Sequence, residues 1–224
     1  MKVLILTYYW PPAGGSGVQR WLKFVKYLQN FDIEPIVYTV DNANYPKEDI
    51  SLINEVPKNI LVLKQPIWEP TDLLFWKKNN NQKKDISNAT NSGLLSFVRG
   101  NFFIPDPKVF WVKPSVKFLH KFLETNKVDA IISTGPPHSM HLIAQKLKEK
   151  NNIKWLADFR DPWTDLYYNK EFKQLSFAKK KNLKLEASVF KNADCILTVS
   201  NSLKNDFAKK AKRVEVITNG FDDE

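Results

Sequence analysis

Cysteine occurs once in these 224 residues, as Cys195. An internal disulfide is therefore excluded. Zinc clusters built on several cysteines are excluded as well, and a reducing compartment is the simpler setting. Three histidines without paired spacing give no metal-ligand pattern. Long hydrophobic runs are also missing: no stretch reaches ~18 apolar residues, the length that an ordinary membrane span needs. The apolar run after Met1 is too short and too soon interrupted for a signal peptide. What the chain does have is 43% hydrophobic residues, with 15 Phe, 7 Trp and 7 Tyr, enough for a real core in one good-sized domain or two small ones. Lys and Arg number 34 against 24 Asp and Glu, a formal charge of +10. That charge attracts nucleic acid, anionic lipid or phosphorylated small molecules. Nucleic acid has charge alone in its favour, since no helix-turn-helix, zinc finger or RNA-binding motif is present, and it is not expected as a partner.

Residues 2–7 form a nearly continuous apolar run, the mark of a strand covered on both faces. Prolines and glycines follow, from Tyr8 to Gly17, and a helix is expected from Ser16, with Ser16 and Gln19 at capping-box spacing. Val18, Trp21, Leu22, Val25 and Leu28 give it an apolar stripe. Further strands are expected over 34–40, 60–63, 129–133, 154–157, 195–199 and 213–217. Helices are expected over 111–123, after His138, within 171–191 and over 201–210. The helix at 111–123 should turn Trp111, Pro114, Ser115, Phe118 and Phe122 to one side, and the one within 171–191 should face Leu175, Ala178, Leu185 and Val189 inward. Strand and helix in alternation predict an α/β fold, a mostly parallel Rossmann-like sheet with helices on both faces. Residues 77–92, rich in Asn and Lys, have almost nothing to bury and read as a flexible insertion. They lie between Leu73–Trp76 and the apolar residues Leu94, Leu95, Phe97, Val98, Phe102 and Phe103. These flanks read as a membrane-interface contact, as an acceptor groove, or as core interrupted by a loop.

The unusual residues collect just after strands, where an open parallel sheet gathers its loops and helix amino ends and where ligands bind. Gly14, Gly15 and Gly17 follow the first strand. Their spacing is neither the dinucleotide fingerprint nor a P-loop, which leaves a backbone cradle for a phosphate or sugar hydroxyl, or a helix cap with a flexible turn. His138 reads as a cleft imidazole that hydrogen-bonds a hydroxyl or acts as a base, or as a capping or packing residue. His120 and His141 carry less weight, the first in a basic helix and the second beside Met140. Asp158, Arg160 and Asp161 read as two acceptors and a forked donor for sugar or phosphate, or as an ion-pair network that holds the loop. No serine has the nucleophile-elbow pattern. From 170 to 213 there are 12 Lys or Arg against 4 Asp or Glu, which reads as a solvated face or as a contact for anionic headgroups or a phosphorylated donor.

Taken in order, Tyr8-Tyr9-Trp10-Pro11-Pro12-Ala13-Gly14-Gly15-Ser16-Gly17, Ser133-Thr134-Gly135-Pro136-Pro137-His138-Ser139 and Ala157-Asp158-Phe159-Arg160-Asp161-Pro162-Trp163 carry a likeness. Ala193-Asp194, Thr198-Val199-Ser200 and the run from Val216 to Asp222 extend it along nearly the whole chain. The chain resembles the N-terminal half of a bacterial glycosyltransferase of family 4, the retaining nucleotide-sugar enzymes of the GT-B fold. The resemblance implies two Rossmann-like domains facing across a cleft, with residues 1–224 as the acceptor-side domain and the donor-binding C-terminal domain absent from this sequence. It implies a hexosyl-type transfer from a nucleotide-diphosphate sugar to a hydroxyl of a glycan or lipid-linked acceptor in cell-surface polysaccharide synthesis, with retention. No metal or other cofactor is expected, and residues 1–224 alone are expected to be inactive. By likeness Gly14, Gly15 and Gly17 approach the diphosphate or the transferred sugar. His138 and Asp158 position sugar hydroxyls at the reacting centre, and Arg160 and Asp161 lie near the acceptor or brace the first loop. Asn219 and Gly220 sit where the chain turns toward the second domain. The expected location is cytoplasmic, peripheral at an anionic inner membrane face. Two other readings remain: a non-catalytic ligand-binding or membrane-surface module, and a Rossmann nucleotide-sugar epimerase or dehydrogenase, which lacks both its fingerprint and a Tyr-x-x-x-Lys pair.

Overall fold

In the computed structural model, the described residues are 1–41, 43, 45–68, 93–165 and 174–220. Seven strands follow one another along them: β1 Lys2–Leu6, β2 Glu34–Val40, β3 Leu61–Gln65, β4 Ala130–Gly135, β5 Lys154–Phe159, β6 Cys195–Thr198 and β7 Val214–Val216. Between them lie α1 Ser16–Leu28, α2 Gly93–Phe102, α3 Val109–Thr125, α4 Ser139–Asn151, α5 Ser176–Asn192 and α6 Asn201–Phe207. The strands form one sheet in the order β3-β2-β1-β4-β5-β6-β7, and every pairing is parallel. Strand order therefore reverses between β1 and β4. A crevice opens at such a switch point, outside the carboxyl ends of the strands.

The central strands are buried on both faces, as their unbroken apolar runs require. Alternation along each strand sorts the side chains. Leu4, Leu6 and Ile131 pack with Trp111, Leu119, Met140, Leu147 and Val189 of α3, α4 and α5. Val3, Ile5 and Ile132 pack with Val18, Trp21, Leu22 and Val25 of α1. The same period continues to the strand ends. It places Thr134 and Asp158 on the α1 side and Ser133 and Phe159 on the α4 side.

Local details depart from the sequence reading in informative ways. Helix α1 does begin at Ser16, but its N-cap is Gly15 and no side chain caps it, so the Ser16–Gln19 box does not form. Gly15 takes φ 107°, a conformation that favours glycine, and this moves the cap one residue earlier. In α3 the buried residues are Trp111, Val112, Ser115, Val116, Leu119 and Leu123, while Phe118 is exposed. Trp111 and Ser115 face inward as expected, and Ser115 enters the core through a hydrogen bond of 2.8 Å between its Oγ and the Tyr38 hydroxyl, which in turn donates to Gln65 Oε1. Helix α5 buries Ala178 and Val189 as expected, and also the polar Asn182 and Glu186. Leu175, its N-cap, is exposed. The insertion 77–92 and its flank 73–76 lie outside the described residues. No helix among the described residues is long and apolar enough to cross a membrane.

Candidate active site

The hub of the crevice is Asp158, whose side chain has no exposed surface. Arg20 of α1 donates from its NH2 to Oδ1 at 3.0 Å and from Nε to Oδ2 at 3.4 Å. Trp21 Nε1 and Thr134 Oγ1 each donate to Oδ2 at 2.8 Å. The pair is thus buried with its lone pairs satisfied, which a buried charge requires. The remaining Arg20 nitrogen, NH1, donates to Thr218 O at 3.2 Å and Asn219 Oδ1 at 3.0 Å. One arginine therefore ties α1, β5 and the segment after β7 together. Asp158 has no face open to a sugar in this arrangement. Its carboxylate is fully engaged in bracing α1 against β4 and β5.

Arg160 lies against the first turn of α1. Its backbone N–H and its Nε both donate to Gly135 O at 3.2 Å, and its NH2 donates to Pro136 O at 2.6 Å. Its guanidinium rests against Gly17 so closely that a Cβ at position 17 would collide with NH1. Gly17 is thus the notch that admits Arg160. Gly14 is committed as well: its N–H donates to Lys47 O at 2.9 Å, and a Cβ there would lie 3.2 Å from the Asp49 Cβ. Of the three glycines, Gly15 alone is open, with nothing within 4 Å of a would-be side chain. Asp161 is half-buried, and Asn219, which accepts from Arg20, and Gly220 are exposed. Burial pulls the Arg160 pKa below its ordinary value, against the upward pull of Asp158 and Asp161.

His138 occupies the N-cap position of α4 but makes no capping bond. Asp106 does that work, accepting from Ser139 N at 2.9 Å and Ser139 Oγ at 2.8 Å. Burial raises the Asp106 pKa despite those bonds and one from Lys108 N. The His138 ring lies flat on Trp163, with centroids 4.7 Å apart at 1°. Trp163 is fixed in turn by Asn182, whose Oδ1 accepts from Nε1 at 3.1 Å. Next to it Glu186 accepts from Thr164 N and Thr164 Oγ1 at 3.1 and 2.8 Å. The polar residues that α5 turns inward thus hold the loop after β5. His138 is 6% exposed, and neither of its ring nitrogens has a protein partner. Burial, then the nearby Arg160 charge, push its pKa down to about 3. It is neutral at any physiological pH.

Spacing alone does not single out Arg20, which sits one turn after Gly17 and beside the stripe residue Trp21. An arginine adjoining the buried face of a glycine-led helix was the available signal. His141, beside Met140 in sequence, is fully buried with Nδ1 2.8 Å from Ser133 Oγ. No group of three His, Cys, Asp or Glu residues able to hold a metal occurs among the described residues.

The arrangement can receive an anion or a hydroxylated ring. A helix amino end meets Arg160 there, and helix N-termini favour negative charge. Arg20 and Asp158 cancel one another within the brace. The fold is shared with enzymes that handle nucleotide sugars. UGT2 of Phytolacca americana, complexed with UDP-2fluoro-glucose and pterostilbene, superposes with a TM-score of 0.53 at 12% identity, covering 100% of this chain and 55% of that one. The lipopolysaccharide outer core galactosyltransferase WaaB, in its apo form, gives 0.51 at 14%, covering 100% and 47%. UDP-GlcNAc 2-epimerase from Methanocaldococcus jannaschii gives 0.52 at 10%, covering 98% and 46%. The chain thus spans about half the length of these structures, and at such identities the likeness shows the fold alone. No curated protein matches the sequence. The sequence pattern of Glycosyltransferase Family 4, in contrast, matches residues 14–224. It takes in the open glycine, the Arg20–Asp158 brace, His138 and the segment after β7, and the chain belongs to Glycosyltransferase Family 4.

Proposed function

We propose that residues 1–224 are the acceptor-side half of a retaining glycosyltransferase. It moves a hexosyl-type sugar from a nucleotide diphosphate to a hydroxyl of a glycan or lipid-linked acceptor in cell-surface polysaccharide synthesis. The observation that carries the reading is the convergence at the β1/β4 switch point. In a Family 4 chain, the loops after β1, β4 and β5 and the segment after β7 meet there around an open helix amino end and a neutral buried histidine. In the reaction the bond from the anomeric carbon to the diphosphate breaks. The acceptor oxygen attacks on the same face and configuration is retained. The amide groups at the start of α1, beginning at Gly15, and the Arg160 charge would offset negative charge growing on the leaving diphosphate. His138, neutral and held on Trp163, would hydrogen-bond the sugar rather than form a covalent bond. Asp158 would act through Arg20, keeping the loops at the spacing that the chemistry needs. A second domain would supply most of the donor contacts, and closure of the two would exclude water. The basic residues of 170–213 fit work at the inner face of an anionic cytoplasmic membrane.

Transfer itself is the test. The complete gene product and residues 1–224 are given a panel of nucleotide sugars with a membrane-lipid extract as acceptor. Transfer by the complete product, lost with residues 1–224 alone, supports the divided site and names the donor. A folded complete product that neither transfers nor hydrolyses any donor overturns transfer and leaves a recognition module.

A further inference from the structure

On the α4 side of the crevice, buried polar atoms form a chain that ends on the two unpartnered histidines. Trp155 Nε1 can only donate, and it donates to Ser133 Oγ at 2.8 Å. Ser133 has no exposed surface, so its own hydroxyl proton needs an acceptor inside the protein. His141 Nδ1, at 2.8 Å, is that acceptor. A neutral imidazole carries one proton. With Nδ1 accepting, the His141 proton sits on Nε2.

His141 Nε2 has no protein partner and lies against Gly135, 2.6 Å from the point where a side chain would begin. His138 Nδ1, equally unpartnered, lies 3.2 Å from the same point. The absent side chain of Gly135 leaves both nitrogens beside one point, with the ring centres 5.8 Å apart and no direct bond between them, a separation that one bridging water spans. An N–H on His141 Nε2 calls for an acceptor, and His138 Nδ1 is the one placed there.

We infer that Ser133 and His141 are positioning residues that fix His138 as the Nε2–H tautomer, so that its Nε2, buried in the free chain, becomes a hydrogen-bond donor to a sugar hydroxyl or phosphate oxygen that reaches it, and not a base. Arg160 supports this by disfavouring a second proton on either ring. The donor role toward a ligand rests on the proposed role of His138. The tautomer itself does not, and it can be tested without a donor sugar.

The experiment is nuclear magnetic resonance of the chain with histidine labelled in its ring with 15N and 13C, at pH 8. Only three histidines contribute, and His120→Gln and His141→Gln assign them. His120 is an internal reference of the opposite kind, because its Nδ1 faces Asn151 Oδ1 at 2.9 Å and must donate. The expected result is Nδ1–H for His120 and Nε2–H for both His141 and His138. Ser133→Ala should then take His141 and His138 from a single tautomer to a mixture with a measurable Nδ1–H fraction, while Ser133→Thr, which keeps the hydroxyl, restores the wild-type signature. Finding His138 as Nδ1–H in the wild type overturns the inference. So does a Ser133→Ala spectrum in which His138 is unchanged. If Ser133→Ala fails to fold, the wild-type and Ser133→Thr spectra still decide. Failure of sugar transfer by the complete gene product would leave these spectra as they are, so the two readings fail separately.

Discussion

The two sides of the sheet end at the same crevice and solve the burial of polar groups in opposite ways. On the α1 side Asp158 and Arg20 are both charged, both buried, and each supplied with partners by α1, β4 and the segment after β7. On the α4 side His138 and His141 are uncharged and equally buried, yet three of their four ring nitrogens have no protein partner. A saturated network has nothing left to offer a ligand, whereas orphaned buried nitrogens keep hydrogen-bonding capacity in reserve. The comparison separates the part of the crevice whose polar groups are matched from the part whose polar groups are left over.

The largest effect should come from breaking the saturated side. Arg20→Met leaves the Asp158 carboxylate buried without its cation, at a cost of about 3–5 kcal/mol, read from urea unfolding midpoints. The double variant Arg20→Met/Asp158→Leu should recover much of that loss, since no unpaired charge remains. A double variant as unstable as the single one would mean that the brace works through packing instead.

On the opposite side a glycine is the sensitive point. Gly135→Ala places a methyl 2.6 Å from His141 Nε2, and one ring must move. We expect a loss of about 1–3 kcal/mol by overpacking, together with separation of the two histidine signals from their wild-type positions. A neutral effect would show that the rings are not fixed against the strand end.

Acid sharpens the contrast further. The His138 pKa is held at about 3, whereas an unfolded imidazole titrates near 6.5. Between these values the unfolded chain binds the extra proton, so stability rises with pH and is lost as pH falls from about 6.5 toward 3. His141, also depressed by burial, acts with the same sign. Each contributes a slope of up to about 1.4 kcal/mol per pH unit. His138→Gln should flatten the profile of unfolding free energy between pH 4.5 and 6.5 by one proton. An unchanged slope would mean that the imidazole is solvated in the folded state.

The smallest effect belongs outside both networks. Lys210 pairs with Asp165 at 3.2 Å on the surface, and Asp165→Asn should cost less than about 1 kcal/mol. Glu186, which holds Thr164 beside the Trp163 stack, should be far more sensitive than its exposed neighbour.

All seven strands were legible in the sequence, within a few residues, because each carries a short apolar stretch bounded by turn residues, as the central strands, buried on both faces, require. The strand ends were legible as a site because a parallel sheet brings its loops to one edge. Within that site the reading was coarser. Gly14, Gly15 and Gly17 look alike in sequence, yet one supports Asp49, one is open and one admits a guanidinium. What separates them is which distant residue arrives opposite, and local spacing carries no trace of Asp49 or Arg160. Arg20 was hidden for the same reason, since its partners lie 138 and 199 residues away.

The sequence by itself determined the alternation of strand and helix, the burial of β1 and β4 on both faces, and the gathering of glycine, histidine and acidic residues after strands. These follow from period and composition, which act over a few residues. Tertiary structure alone decided which polar groups were matched and which were left over. Hydrogen bonds between buried groups depend on distances across the sheet, and the pairing of Asp158 with Arg20, like the facing of His138 and His141 across Gly135, exists only once β4 and β5 stand side by side with α1 above and α4 below.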